Sequence, residues 1–337
     1  MKTNKTVYVR KRDFWEANRQ SGGYLLKNRI SKATVSVVRA LLLFGLCFMI
    51  IQPLLTRFST SLMTERDLYD STVILLPREV TFDNYRIVAD LTGFPKSMLN
   101  TLWTSTLVSV LQVVACTLVG YGFARYDFPL KKLWFACVIV TIIVPPQTIA
   151  TALYMNFVNF DVFGIIKAIT GKAANLHGSI VPYSLMSITC MGLKNGLYIY
   201  MLRQYFRGIP KSLEEAAYVD GCGSLHTFVR IMLPDAMPTI LSCFLFSFVW
   251  QWTDLFYTRN FLATQTRPIF SNELSTILTR MNYYFSTETG KPTIVPIGRQ
   301  MQLVSIGILV CSVPLVILYI FTQRTFVESI AMSGTKE

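Results

Sequence analysis

Long runs of apolar residues alternate with short polar and basic segments along this chain of 337 residues. A helix needs about 20 apolar residues to cross the hydrocarbon layer of a bilayer. Such runs predict six membrane-spanning helices, at Val35–Leu55, Met98–Ala124, Leu133–Met155, Ile180–Tyr200, Ile240–Tyr257 and Met301–Phe321. Helices are expected because backbone in lipid must satisfy its own hydrogen bonds, and a barrel would show short alternating segments. The predicted fold class is all-α, a polytopic membrane protein.

Basic residues cluster beside these runs and predict the orientation. Residues 1–40 hold ten lysines and arginines against Asp13 and Glu16, which predicts a cytoplasmic N-terminus. Six spans return the C-terminus to the same side, and Arg125, with the lysines after it, marks the loop after span two as cytoplasmic. The predicted domains are a basic leader at 1–34, a six-helix domain at 35–325 and a cytoplasmic tail at 326–337.

Prolines lie within or beside several predicted spans. Pro145–Pro146 in span three, Pro182 at the start of span four and Pro314 in span six are expected to interrupt the helices. Two interpretations stay open, because broken helices either line a pathway or only adjust packing.

Composition excludes other classes of protein. Hydrophobic residues make up 52% and charged residues 15%, which is too little polar side chain to cover a soluble globule. The net charge of +13 sits in loops beside apolar runs, so it indicates membrane orientation and no nucleic-acid partner. The seven cysteines form no CxxC pair and the two histidines lie far apart, so neither a metal nor any other cofactor is expected.

The polar segment 206–234 carries the most information about function. It predicts a short helix, a turn at Gly221 and a second short helix ended by Pro234, which also starts span five. Ser212 and Glu215 are spaced as a capping box, and Ser224 is placed to cap the second helix. A simple capped loop would explain the caps. It would not explain about thirty residues where a hairpin needs far fewer, so we favour a rigid knob that docks into a partner.

The spacing within this segment resembles a known signature. Glu215-Ala216-Ala217, three residues, Gly221, nine residues, Ile231, one residue and Leu233-Pro234 resemble the coupling motif of bacterial ATP-binding-cassette importer permeases. The segments Thr81–Tyr85, Gly120–Arg125 and Leu202–Phe206 resemble the sugar-importing branch, in particular the maltose-type second permease subunit. The resemblance implies the type I importer permease fold.

That resemblance also implies residue roles and partners. Glu215 would pair with a basic residue of a cytoplasmic ATPase, and the coupling residues would be Glu214, Glu215, Ala216, Ala217, Gly221, Ile231, Leu233 and Pro234. The implied partners are a second homologous permease, two copies of an ATP-binding subunit, an external solute-binding protein and a sugar, all at a bacterial cell membrane. The chain has no G-x-x-x-x-G-K-[ST] motif, so a non-catalytic subunit is expected, with ATP hydrolysed by a partner.

Polar residues inside spans are candidates for a translocation path. Lys194 either extends its amine toward the cytoplasm or faces a cavity, and both interpretations stay open. Gln251 and Asp254 lie beside Trp250 and Trp252, which suit either sugar stacking or an interfacial aromatic belt.

Three alternatives remain. An ion-coupled secondary transporter and a membrane-embedded enzyme both leave the 206–234 pattern unexplained. An importer permease for a solute other than a sugar would keep that pattern.

Overall fold

The computed structural model describes residues 18–19, 22–262 and 267–334, with side chains up to Arg324. This part of the chain is helical and contains no strand, only two isolated bridges, Met63–Val80 and Phe160–Ala174. The all-α prediction is therefore confirmed. Most of the basic leader, residues 1–17 with 20 and 21, lies outside the described residues, as do residues 335–337.

Apolar runs and polar breaks divide the chain into helices that we number in order. They are α1 Tyr24–Ser61, α2 Glu65–Tyr69, α3 Asp83–Thr92, α4 Lys96–Arg125, α5 Lys131–Ile143, α6 Ala150–Val158, α7 Ile165–Thr170, α8 Val181–Ile188, α9 Asn195–Gly208, α10 Ser212–Val219, α11 Ser224–Thr227, α12 Leu233–Asp235, α13 Met237–Trp252, α14 Phe256–Phe261, α15 Phe270–Ser275, α16 Ile277–Thr289 and α17 Ile297–Gly334. A 3₁₀ turn, Pro146–Ile149, precedes α6, and a π-helical turn, Phe228–Met232, joins α11 to α12.

Fewer continuous spans are found than the six predicted. Within the described residues, α1, α4 and α17 up to Arg324 are each long and apolar enough to cross a membrane. Two bent pairs bring the number to five if each is one span: Lys131–Ile143 with Pro146–Val158, at 101°, and Ser224–Asp235 with Met237–Trp252, at 72°.

The predicted continuous helix at Ile180–Tyr200 is wrong. Residues 189–194 separate α8 from α9, and Cys190 and Lys194 both adopt left-handed backbone, at φ 57° and 63°. A helix cannot continue through such residues. The apolar composition of this run hides the break.

The prolines behave unequally. The break expected at Pro145–Pro146 is confirmed, and Pro182 lies in the first turn of α8, where no backbone N–H is needed. The interruption expected at Pro314 is wrong, because α17 runs through it, as α1 runs through Pro53. One proline removes a single backbone hydrogen bond, which a long membrane helix tolerates.

Helix α4 lies at the centre of the packed structure. It packs against α8, α9 and α13, and half of its most apolar window is buried, whereas none of the corresponding window of α1 is. Gly120 allows the closest approach to α9, since an added Cβ would lie 2.9 Å from Leu202 Cβ. The C-terminal end of α4 is thereby fixed beside the 206–234 segment.

Candidate coupling site and translocation path

The 206–234 segment forms a compact knob of two short helices. Gly221 ends α10 in left-handed backbone at φ 80°, which confirms the predicted glycine turn. The chain then continues through α11, the π-helical turn and α12. The bend toward α13 follows at Ala236, two residues after the predicted stop at Pro234.

Both predicted serine caps are wrong. Ser212 and Ser224 are the first residues inside α10 and α11, one position too late to cap them, and neither helix has a side-chain cap. The first turns close on backbone instead, with Glu214 N donating to Lys211 O at 3.0 Å and Thr227 N to Gly223 O at 3.0 Å.

Glu214 points into the protein rather than toward solvent. Its Oε2 lies 3.3 Å from Arg125 Nε at the end of α4, and its Oε1 accepts a hydrogen bond from Tyr121 Oη at 3.0 Å. The two charged side chains are only 11% and 7% exposed. Arg125 Nη2 also donates to Ile209 O at 2.8 Å, just before α10. The 206–234 segment is thus attached to α4 by a buried ion pair.

Aromatic packing supports this attachment. The Tyr121 ring contacts Phe206 and Phe228, with centroid distances of 5.3 Å and 4.6 Å. Phe206 precedes α10 and Phe228 follows α11, so the Tyr121 ring contacts the chain both before and after the two short helices. Ala217 is buried beneath the same face of α10.

The opposite face of the knob is open. Glu215, Ala216 and Gly221 are exposed, and within the described structure the Glu215 carboxylate has no hydrogen bond or ion pair. Leu225 is 74% exposed next to them. Partial burial and then the nearby Glu214 carboxylate raise the pKa of the Tyr218 phenol at the edge of this face. The face presents the Leu225 side chain and the Glu215 carboxylate to solvent.

The last three residues of the signature differ in their exposure. Ile231 and Leu233 are half-buried, while Pro234 is exposed in the first turn of α12. The coupling roles of these residues remain predictions.

Sequence reasoning missed Arg125. It counted this residue as a marker of a cytoplasmic loop, but the residue ends α4 and its side chain is buried against Glu214. The available signal was the Gly120–Arg125 segment, whose resemblance to the sugar-importing branch was noted without a role.

Lys194 lies at the break between α8 and α9. Its exposed side chain places Nζ 5.1 Å from the centroid of the Trp250 ring, a cation–π contact. It borders a cavity of about 290 Å³, which Thr141, Asn195 and Tyr257 also line. Lys194 therefore lines this cavity, although its role in a translocation path remains a prediction.

Asn195, which lines this cavity, is one of several buried amides. Gln112 Nε2 donates to Leu193 O at 2.5 Å and contacts Asn195 Oδ1, and Gln112 Oε1 accepts from Ser247 Oγ at 2.5 Å. Asn195 Nδ2 and Gln251 Oε1 are buried with no hydrogen-bond partner. Unpaired polar atoms in an apolar interior are costly. Gln112 and Asn195 escaped sequence analysis because single amides in apolar runs carry no motif.

Asp254 is buried and fully engaged within the chain. Its carboxylate accepts hydrogen bonds from Thr258 N at 2.9 Å, Thr258 Oγ1 at 3.1 Å and Phe256 N at 3.2 Å, and from Tyr183 Oη. Asp254, just before the N-cap position Leu255, thus accepts hydrogen bonds from the free N–H groups in the first turn of α14. The predicted path role of Asp254 stays untested, while its hydrogen bonds indicate a structural one.

The described residues hold no group of three or more His, Cys, Asp or Glu side chains placed to bind a metal ion.

In the part of the chain that the structure describes, helices alone, with long apolar helices, broken spans and a knob fixed to a central helix, form the architecture of a polytopic membrane protein. The chain belongs to the family described as binding-protein-dependent transport system inner membrane component, whose model matches residues 116–331. It is 25% identical to the arabinooligosaccharides transport system permease protein AraQ of Halalkalibacterium halodurans, over 91% of this chain and 100% of that one.

Further relatives agree. The trehalose transport system permease protein SugB of Mycobacterium tuberculosis is 26% identical, over 84% of this chain and 92% of its own length. A crystal structure of a bacterial ABC transporter that imports the acidic polysaccharide alginate contains a chain with a TM-score of 0.67 and 18% identity, covering 88% of this chain and 98% of that one. This likeness supports the fold.

Proposed function

We propose that this chain forms half of the translocation pathway of an ATP-binding-cassette importer and couples to a cytoplasmic ATPase through residues 206–234. The observation that carries the proposal is the two-sided knob. Glu214 anchors one face to α4, while Glu215 and Ala216 lie exposed and unpartnered on the other. A surface built this way suits docking into a groove of a partner.

The cargo we propose is a sugar or oligosaccharide delivered by an external binding protein. Relatives are named for arabinooligosaccharides, trehalose and maltodextrin. The cavity beside α9 supports the idea, because it combines Tyr257 with polar groups of Thr141 and Asn195. Aromatic faces stack on sugar rings while polar groups bond the hydroxyls. Lys194 and Gln251 are proposed to line the same path, with Asp254 beside it.

The proposed assembly contains this chain, a second homologous permease and two copies of the ATP-binding subunit in a bacterial cell membrane. ATP would be hydrolysed by those partner subunits. The exposed apolar face of α1 leaves room for lipid and for the second permease.

Purification of the tagged chain from its native membrane in mild detergent tests this assembly. We expect an ATPase subunit and a second permease to accompany the wild type and the ATPase to be lost with Gly221→Asp. No atom lies within 4 Å of a Cβ added at Gly221, and aspartate tolerates left-handed backbone better than most residues, so the variant should still fold and insert. Uptake of arabinotriose, trehalose or maltotriose into cells would then identify the cargo class. A chain that purifies alone and moves solute without ATP would be a secondary transporter, contrary to the proposal.

A further inference from the structure

Two adjacent glutamates of the knob occupy opposite environments. Glu215 is exposed and lacks a partner in the described structure, whereas Glu214 is buried against Arg125 and Tyr121. Successive residues of a helix project about 100° apart, so one short helix presents the two carboxylates to different surroundings. The coupling face and the attachment face are therefore separate.

The attachment holds more than the helix itself. The Arg125 guanidinium binds Glu214 within α10 and also Ile209 O at the entry to α10. The Tyr121 ring packs on Phe228, beyond the Gly221 turn. Contacts from one turn of α4 thus reach both sides of α10.

Helix α4 is the element that would pass a displacement onward. It packs along α9, with Gly120 allowing close approach one residue before Tyr121, and along α13 and α8. Close-packed interfaces transmit displacement because they have little free volume. If the knob moved relative to α4, its displacement would not be transmitted to the core. If the knob and α4 move together, the displacement reaches the helices packed against α4.

We propose that Arg125, Glu214 and Tyr121 form a tie that makes α10 and the cytoplasmic end of α4 a single rigid unit, so that a partner which moves α10 moves α4 with it. The three act as positioning residues, and Glu215 is left free for the partner. This inference rests on the proposed function, because the displacement must come from the ATPase.

The ion pair suits such a tie. A buried pair that loses one partner leaves an uncompensated charge in a poor dielectric, so the pair resists separation. Glu214 Oε1 accepts the hydrogen bond from Tyr121 Oη, which gives the contact a direction, while Glu214 Oε2 lies 3.3 Å from Arg125 Nε as a charge pair without a hydrogen bond.

The test measures one distance in two states of the purified complex in nanodiscs. Spin labels are placed at Leu118 on α4 and Lys211 at the start of α10, both exposed, through unnatural ketone side chains because the chain has seven free cysteines. EPR is recorded without nucleotide and after trapping with ATP and vanadate. The wild type should give one narrow distance that is the same in both states, and a distance that changes on trapping overturns the proposal.

Variants distinguish a rigid connection between α10 and α4 from a contact that only stabilises the fold. Glu214→Gln keeps an acceptor for Tyr121 but removes the charge, and Tyr121→Phe removes only the hydrogen bond, so it remains informative if Glu214→Gln fails to insert. In each, the distance distribution should broaden, and its main peak should shift on trapping while the trapped nucleotide is unchanged. Glu215→Gln, the matched control, should leave the distribution narrow without nucleotide, the state that does not depend on docking to the ATPase. Unaltered distributions in both tie variants would assign the pair a purely structural role.

Failure of the proposed function is recognised separately. If the wild-type preparation contains no ATPase and traps no nucleotide, the importer assignment falls. The label distribution of the isolated chain, narrow in the wild type and broad in Glu214→Gln, then still decides whether the tie is rigid.

Discussion

At the scale of single residues, surroundings rather than residue type decide what each polar side chain does. Glu214 and Glu215 are identical and adjacent, yet only Glu214 is buried with a cation. Sequence analysis treated Glu215 as the principal residue and Glu214 as its neighbour. It could not see the burial, because the partner residues Tyr121 and Arg125 lie about ninety positions earlier in the chain.

Alanine at these two positions should have unequal effects on stability. Glu214→Ala leaves Arg125 buried without its counter-charge and should lower the free energy of unfolding by about 3–5 kcal/mol. Glu215→Ala changes an exposed side chain and should stay within about 0.5 kcal/mol. Thermal unfolding of both purified variants in one detergent checks the difference. Equal losses would show that the ion pair does not stabilise the fold.

Substitutions at Gln251 and Asp254 should likewise have different effects when uptake is expressed per inserted chain. Asp254→Asn disturbs the hydrogen bonds from Thr258 and Tyr183, so it should cost about 1–3 kcal/mol and lower abundance. Uptake per inserted chain should remain normal.

Gln251→Ala removes a buried amide whose Oε1 is unpaired, so abundance should hold while uptake per chain falls several-fold. Uptake of the radiolabelled sugar that the wild type accumulates, with immunoblots of the membrane fraction, gives both quantities. Normal uptake per chain in Gln251→Ala would remove this residue from the path.

At the scale of helices, the apolar runs predicted where the chain is helical and hydrophobic but not where the helices break. Hydropathy reports composition, and the 189–194 break lies inside the apolar run from which Ile180–Tyr200 was predicted. It arises from left-handed backbone at Cys190 and Lys194. The Pro145–Pro146 break was predictable because proline lacks a donor. The glycine turn of the knob was predictable too, whereas the caps failed because each helix starts one residue earlier than the serine pattern requires, at the serine itself.

Two glycines of α4 offer a matched test of its packing against α9. A Cβ at Gly120 would lie 2.9 Å from Leu202 Cβ and 3.2 Å from Arg203 N, whereas nothing lies within 4 Å of one at Gly122. Gly120→Ala should therefore destabilise the chain by about 1–3 kcal/mol. Gly122→Ala should be neutral or stabilise by up to about 1 kcal/mol, because alanine favours helix. Both are read from thermal unfolding, and a harmless Gly120→Ala would mean that α4 and α9 lie farther apart.

At the scale of the whole molecule, polar contacts indicate which helix ends share a side of the membrane. Gln302 Nε2, early in α17, donates to Thr60 O and Met63 O at the end of α1, at 2.8 Å each. The two helices are therefore antiparallel. At the start of α4, Phe270 N donates to Thr101 Oγ1 at 2.9 Å, which puts the 267–270 segment opposite Arg125 and the knob.

From these contacts and the basic loops we predict one topology, with the knob and residues 126–130 in the cytoplasm and the segment around Lys291 outside. Cysteine substitutions test it in right-side-out vesicles treated with a membrane-impermeant maleimide. Lys291→Cys, at an exposed position, should be labelled in intact vesicles. Asp127→Cys, whose native side chain is 97% exposed, should be labelled only after the vesicles are opened. The parent chain supplies the background from its native cysteines. Labelling of Asp127→Cys in intact vesicles would place the knob outside, where no cytoplasmic ATPase could reach Glu215.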